Sequence, residues 1–151
     1  MLSSDPEDSL RRLAERSGFP GDALIVRFVD HDAVPAHLAA ADFAVTPVKP
    51  VPTKRCCTPI KDGEYWAMGL PVVITPGISE DSEIIRRRGI GAVLEGFAPE
   101  HYRAALRRID ELLREVPPDE LRARIRATAV EFRGFERADA AYRGVYGKGA
   151  G

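Results

Sequence analysis

The sequence predicts an α/β domain built on a doubly wound parallel sheet. Three observations carry this reading. Helical and strand-like patterns alternate along the chain, the strand-like runs are short and continuously apolar, and Gly or Pro marks most changes of pattern. A run apolar on both faces suits a buried parallel strand, and parallel strands need a crossover, usually helical, between them. Right-handed crossovers then place helices on both faces of the sheet.

The elements follow in order. Asp5-Pro6-Glu7 reads as a helix start, with Asp5 capping and Pro6 at the first helical position, and Leu10, Leu13 and Ala14 share a face before Gly18 stops it. Residues 23–29 read as a mostly buried strand, residues 34–41 as a short Ala-rich helix capped by Asp32, and residues 43–46 as a second strand. After a Pro-rich loop, residues 59–68 are helical up to Gly69, and residues 71–75 form a third strand. Residues 82–88 give another helix closed by Gly89, and residues 92–94 a short strand. An apolar stripe of Tyr102, Ala105, Leu106, Ile109, Leu112 and Leu113, then a weaker one of Leu121, Ile125, Thr128 and Phe132, places closing helices over residues 98–146. One domain is expected over residues 1–146, with 147–151 as a flexible Gly-rich tail.

Composition agrees with one ordinary core. A chain of 151 residues buries about 68 to 70% of its unfolded surface. No apolar run approaches the roughly 20 residues that span a bilayer, which leaves only peripheral membrane contact open. The net charge of −1 speaks against a general nucleic-acid binder. Cys56 and Cys57 are neighbours and cannot close stabilising loops, and residues 1–18 lack the apolar core of a secretory signal, so a cytoplasmic protein is expected.

In an open α/β sheet, ligands bind beyond the carboxyl ends of the strands. The loop after Thr46 stands out there. Between Asp42 and Asp62 no acidic residue occurs, while Lys49, Lys54, Arg55 and Lys61 do. Charge alone does not separate an anion site from a solvated loop, but the helix entry does. With Thr58 as N-cap and Pro59 first, the amides of Ile60 and Lys61 point out of a positively polarised helix end. Lys61 itself sits in that first turn, where a cation costs about 0.3 to 1 kcal/mol. Glu64 at i+3 offsets it only in the poorer orientation, and a bound diphosphate does so better. The helix at residues 82–88 carries its own acids, Glu80, Asp81 and Glu83, and Arg86, Arg87 and Arg88 suit its last turn as capping charges.

The segment Thr58-Pro-Ile-Lys-Asp-Gly-Glu-Tyr-Trp-Ala-Met-Gly-Leu-Pro-Val-Val-Ile-Thr-Pro-Gly77 resembles the donor-binding motif of group 1 (family four) glycosyltransferases. Upstream, Phe28-Val29 and Val34-Pro-Ala-His-Leu-Ala-Ala-Ala-Asp42 are similar to that family's preceding strand and helix, and a looser similarity runs from about Leu10 to Tyr146. The resemblance implies the C-terminal half of a GT-B fold, Rossmann-like, without its first strand, and retaining transfer from a nucleoside-diphosphate sugar with no metal cofactor. It also implies that Glu64, the second Glu of the Glu-x7-Glu motif, accepts hydrogen bonds from the ribose hydroxyls. The first Glu falls at Cys56, a departure that removes its contact to the donor sugar. Lys54, Thr58, Ile60, Lys61 and Glu64 form the expected donor-binding set, and no residue is assigned a catalytic role.

The implied partner is an acceptor-binding N-terminal domain, without which the chain is expected to be inactive. The alternative is a non-catalytic nucleotide-sugar-binding or protein-interaction module, with a flavodoxin-like domain as a third reading. A helix-first order leaves a sheet edge that is either bare or paired with a second copy in a homodimer. Asp30-His31-Asp32 imitates an Asp-x-Asp metal motif, but Asp32 sits where the next helix needs a cap; His37 and His101 lack partner ligands at metal spacing, and Cys56 and Cys57 are expected as packed thiols rather than nucleophiles. Base, sugar and acceptor are not specified by the sequence.

Overall fold

A computed structural model describes residue 2 and residues 5–146, without the Arg137 side chain; the expected tail at 147–151 lies outside the described residues. The chain divides into two compact units, Met1–Ala39 and Ala40–Gly151.

In the first unit, α1 (Glu7–Arg16) starts after Pro6, which takes the cap position itself in place of Asp5. Gly18 at φ +71° ends it, a backbone region that favours Gly. Residues 23–29 do not form the expected strand. A 3-10 turn takes up Gly21–Ala23, and among the described residues the extended run beyond it pairs through a single bridge from Leu2 to Arg27. An apolar run supplies extended backbone, but a strand needs a hydrogen-bonded neighbour along its length. Only Val26 of this run is buried, while Ile25 and Phe28 are exposed. A second 3-10 turn, His31–Ala33, contains Asp32, so that residue does not cap α2 (Val34–Leu38), which is also shorter than expected.

The second unit is the predicted α/β architecture. Its sheet has three parallel strands in the order β1 (Ala44–Thr46), β2 (Val72–Ile74), β3 (Gly91–Val93). Between them lie α3 (Ile60–Ala67) and α4 (Asp81–Arg88), and α5 (Pro99–Glu115), α6 (Pro118–Arg133) and α7 (Phe135–Tyr146) follow. Alternation along β2 divides the core. Val72 and Ile74 pack with Trp66, Ile84, Ile85, Leu121 and Ile125 on one face, and Val73 packs with Ala92, Leu94, Ala105 and Ile109 on the other. Both faces are therefore covered, which is why β2 is buried at every position.

The stripe on α5 is narrower than its apolar residues suggest: Ala105, Ile109 and Leu112 are buried, whereas Tyr102, Leu106 and Leu113 are exposed. Among the described residues, no helix is long and apolar enough to cross a membrane.

Gly91 sets the spacing of β2 and β3. A Cβ there meets the Val72 carbonyl oxygen at 2.2 Å, directly across the register pair Val72–Gly91. Gly91→Ala is expected to destabilise the unit by about 1 to 3 kcal/mol through overpacking. Urea denaturation checks this, and an unchanged midpoint contradicts the close strand approach.

Candidate functional site

The parallel ladder sends the chain out of β1 and β2 on the same side, so the segments 47–59 and 75–80 meet at the carboxyl ends of the strands. Two hydrogen bonds join them. The Thr75 hydroxyl donates to the Val48 carbonyl, and the Ser79 amide donates to the Arg55 carbonyl at 3.2 Å. Ser79 holds φ at +46°, an uncommon conformation for a residue other than Gly. The first segment also contains a 3-10 turn, Pro52–Lys54, closed by the Arg55 amide on the Pro52 carbonyl at 3.4 Å, and a further turn follows in which the Cys57 amide donates to the Lys54 carbonyl at 3.1 Å.

Entry into α3 differs from expectation. Pro59 is the cap residue with ψ 116°, Ile60 is the first helical residue, and Thr58 makes no capping bond. A residue before proline is pushed away from the helical region, and here the extended geometry persists through Pro59 itself. The Asp62 amide bonds back to the Pro59 carbonyl at 3.2 Å, while the amides of Ile60 and Lys61 have no partner among the described residues. The outward amides thus survive without the Thr58 cap.

Thr58, Ile60 and Glu64 come together. They line a groove of about 730 Å³ with Gly63 and Ala67 of α3, Arg126, Ala129, Val130 and Arg133 of α6, and Gly134 and Phe135. Its walls are largely apolar, and Ile60, Val130 and Phe135 are strongly exposed. Lys54 and Lys61 are not in this lining; both are exposed on the adjoining surface. Neither Lys61 nor Glu64 forms an ion pair with another described residue. Cys56 and Cys57 are free and exposed rather than packed, since the turn at residues 52–57 carries them outward.

Under the groove lies a buried polar cluster that the sequence reading passed over. Asp62 is 1% exposed and Asp81 fully buried, and Arg133 pairs with Asp81 while its guanidinium sits 5.3 Å from the Trp66 ring centroid. Asp81 is therefore not a free dipole complement for α4. The Arg133 stem reaches this position by crossing α3 at Gly63, where a Cβ would come within 3.2 Å of it. Burial, above all, raises the Asp62 carboxyl to about 7, with the Asp81 charge adding to the rise; Thr46 and Arg133 oppose it. Both Asp62 oxygens, Asp81 Oδ2, the Thr46 hydroxyl and Trp66 Nε1 are buried without a hydrogen-bond partner among the described residues.

A signal for this cluster exists in the sequence. Asp62 and Trp66 are four apart, so if Trp66 faces the core then Asp62 does too. Gly63 inside a helix, at a cost of about 1 kcal/mol against Ala, likewise marks a close approach. Two arginines of α4, Arg86 and Arg88, also find carboxylates. Arg86 pairs with Glu95 at 2.6 Å and with Glu83, and Arg88 pairs with Glu131 at 2.5 Å and lies over Phe132. Among the described residues, no three His, Cys, Asp or Glu side chains are grouped to hold a metal ion.

Comparison with known proteins bears on this arrangement. The family model for group 1 glycosyl transferases matches residues 2–115. A crystal structure of WaaG, a glycosyltransferase involved in lipopolysaccharide biosynthesis, superposes with a TM-score of 0.69 at 21% sequence identity. That match covers 97% of this chain and 37% of the other, and at this identity it speaks to the fold. No curated protein matches.

Proposed function

Because the chain belongs to the group 1 glycosyl transferases, we propose that it is a donor-binding domain that holds a nucleoside-diphosphate sugar for retaining transfer in the cytoplasm. One observation supports this most: a helix end with free amides at Ile60 and Lys61 opens beside a groove that contains Glu64. Anions favour such a helix end, and Lys61 and Lys54 add positive charge on the adjoining surface. Glu64 accepts from the vicinal hydroxyls of a ribose, and the apolar wall of Ile60, Val130 and Phe135 suits the flat face of a base. No metal takes part in this binding.

In transfer, the same charges stabilise the departing diphosphate. Acceptor positioning, which supplies about 7 to 11 kcal/mol of barrier reduction, is the work of an acceptor-binding domain, and this chain spans 37% of the length of the glycosyltransferase it superposes on. We therefore expect binding here and turnover only in that company. A second reading, a non-catalytic binding or interaction module, draws on Cys56, which stands exposed where the family motif places its first Glu.

Paired variants test the assignment. Lys61→Ala is expected to weaken nucleoside diphosphate binding by about 1.5 to 3 kcal/mol, and Lys49→Ala by far less. Glu64→Gln is expected to weaken nucleotide binding while leaving inorganic diphosphate unchanged. Calorimetric titration separates the cases, and equal losses for both ligands in Glu64→Gln remove Glu64 from the ribose.

A further inference from the structure

Asp62 lies in the first turn of α3, the end proposed to receive a diphosphate. An ionised carboxylate there competes with any anionic ligand for the same amides and the same dipole. Its side chain, however, is turned inward against Asp81 at the start of α4, with Arg133 of α6 pairing with Asp81 alone. Two buried carboxylates and one guanidinium leave one negative charge without a counterion, and like charges at close range do not both ionise readily.

We propose that Asp62 and Asp81 hold one proton between them, and that this proton, with Arg133, seats α3 and keeps its first turn free of negative charge for an anionic ligand. Asp62 and Asp81 are positioning residues in this account, acting through the helix that carries Lys61 and Glu64; the inference rests on the donor-binding reading for its ligand and on the cluster alone for its proton.

The surroundings fit. From β1 the neutral Thr46 hydroxyl faces Asp62, from α4 Asp81, and from α6 Arg133. β2, which also packs on α3, contributes only Val72, Val73 and Ile74. On α3 itself Tyr65 is raised above its ordinary value by burial, then by Asp62 and by Glu64. No described cation besides Arg133 bears on Asp62.

The sign follows from linkage. A carboxyl whose folded value, about 7, exceeds its unfolded value of 3.8 keeps a proton in the fold that the unfolded chain releases. The contribution of this group to stability is therefore full below about pH 4, declines as pH rises to about 7, and is level above. The Asp62→Asn chain, neutral throughout, lacks this decline.

The test compares the wild-type chain with Asp62→Asn. Carboxyl carbon NMR of the wild type is expected to show one Asp titrating near pH 7, and an Asp set that titrates wholly below pH 5 overturns the proposal. The unfolding constant of the wild type relative to Asp62→Asn is expected to rise by close to tenfold between pH 5 and pH 6 and to flatten above pH 8. Parallel profiles overturn it.

Affinity for UDP, GDP, ADP and inorganic diphosphate is then titrated from pH 6 to pH 8. The wild type is expected to lose more affinity than Asp62→Asn over this range, and identical slopes contradict the ligand half of the proposal. Divergent stability profiles with no response to any of these ligands uphold the shared proton and remove the donor reading, so the two failures are distinguishable.

Discussion

Arg133→Ala is expected to lower the unfolding free energy by about 3 to 5 kcal/mol at neutral pH, the loss typical when one member of a buried ion pair is removed. Its partner Asp81 is fully buried, and the Arg133 side chain keeps only 22% of its exposure. Truncation strands the Asp81 carboxylate beside Asp62, removes the cation over Trp66 and opens space above Gly63. Because the stranded groups are acids, protonation at low pH is expected to recover part of the loss. Asp81→Asn added to Arg133→Ala is also expected to recover part of it, since no uncompensated charge then remains. Trp66 is the only tryptophan, so its fluorescence reports unfolding of this region in urea. A loss below about 1 kcal/mol in the single variant, or no recovery in the double, contradicts the account of the cluster.

The same cluster marks where the sequence stopped being legible. The run at 71–75 announces β2 because a central strand is apolar on both faces, and Gly69 and Gly89 mark helix ends because each adopts positive φ. Residues 23–29 carry the same kind of run, yet strand identity depends on a hydrogen-bonded neighbour that the run itself does not encode. On α5, Leu106 and Leu113 are as apolar as the buried Leu112, and their exposure follows from which face of the helix the fold covers.

At the candidate site, Thr58, Ile60 and Glu64 share one wall of the groove, since they lie at or just before the start of one helix. Capping by Thr58 fails because Pro59 carries the extended backbone one residue further. The opposite wall, Arg126, Val130 and Arg133, comes from α6, far along the chain, and nothing short of the packing of α6 on α3 brings it there. Asp62 is the sharpest case: its four-residue spacing from Trp66 signals an inward side chain, but its neighbours Asp81 and Arg133 come from α4 and α6, which the local sequence does not bring to it.

The central claim is that this chain binds the nucleoside diphosphate part of a sugar donor at the start of α3. A ligand that binds only the folded state stabilises it by about 2.7 kcal/mol when present at 100 times its dissociation constant. For a domain of this length a shift of that size corresponds to roughly 5 to 10 °C in melting temperature. The direct measurement is a thermal melt of the purified chain with UDP, GDP and ADP and with their sugar conjugates, each at millimolar concentration. At least one nucleoside diphosphate is expected to raise the midpoint of the wild type, with a smaller rise for Lys61→Ala and for Glu64→Gln. If no ligand of the panel moves the wild-type midpoint, or if the rise is the same in all three chains, the start of α3 and its groove are not a donor site.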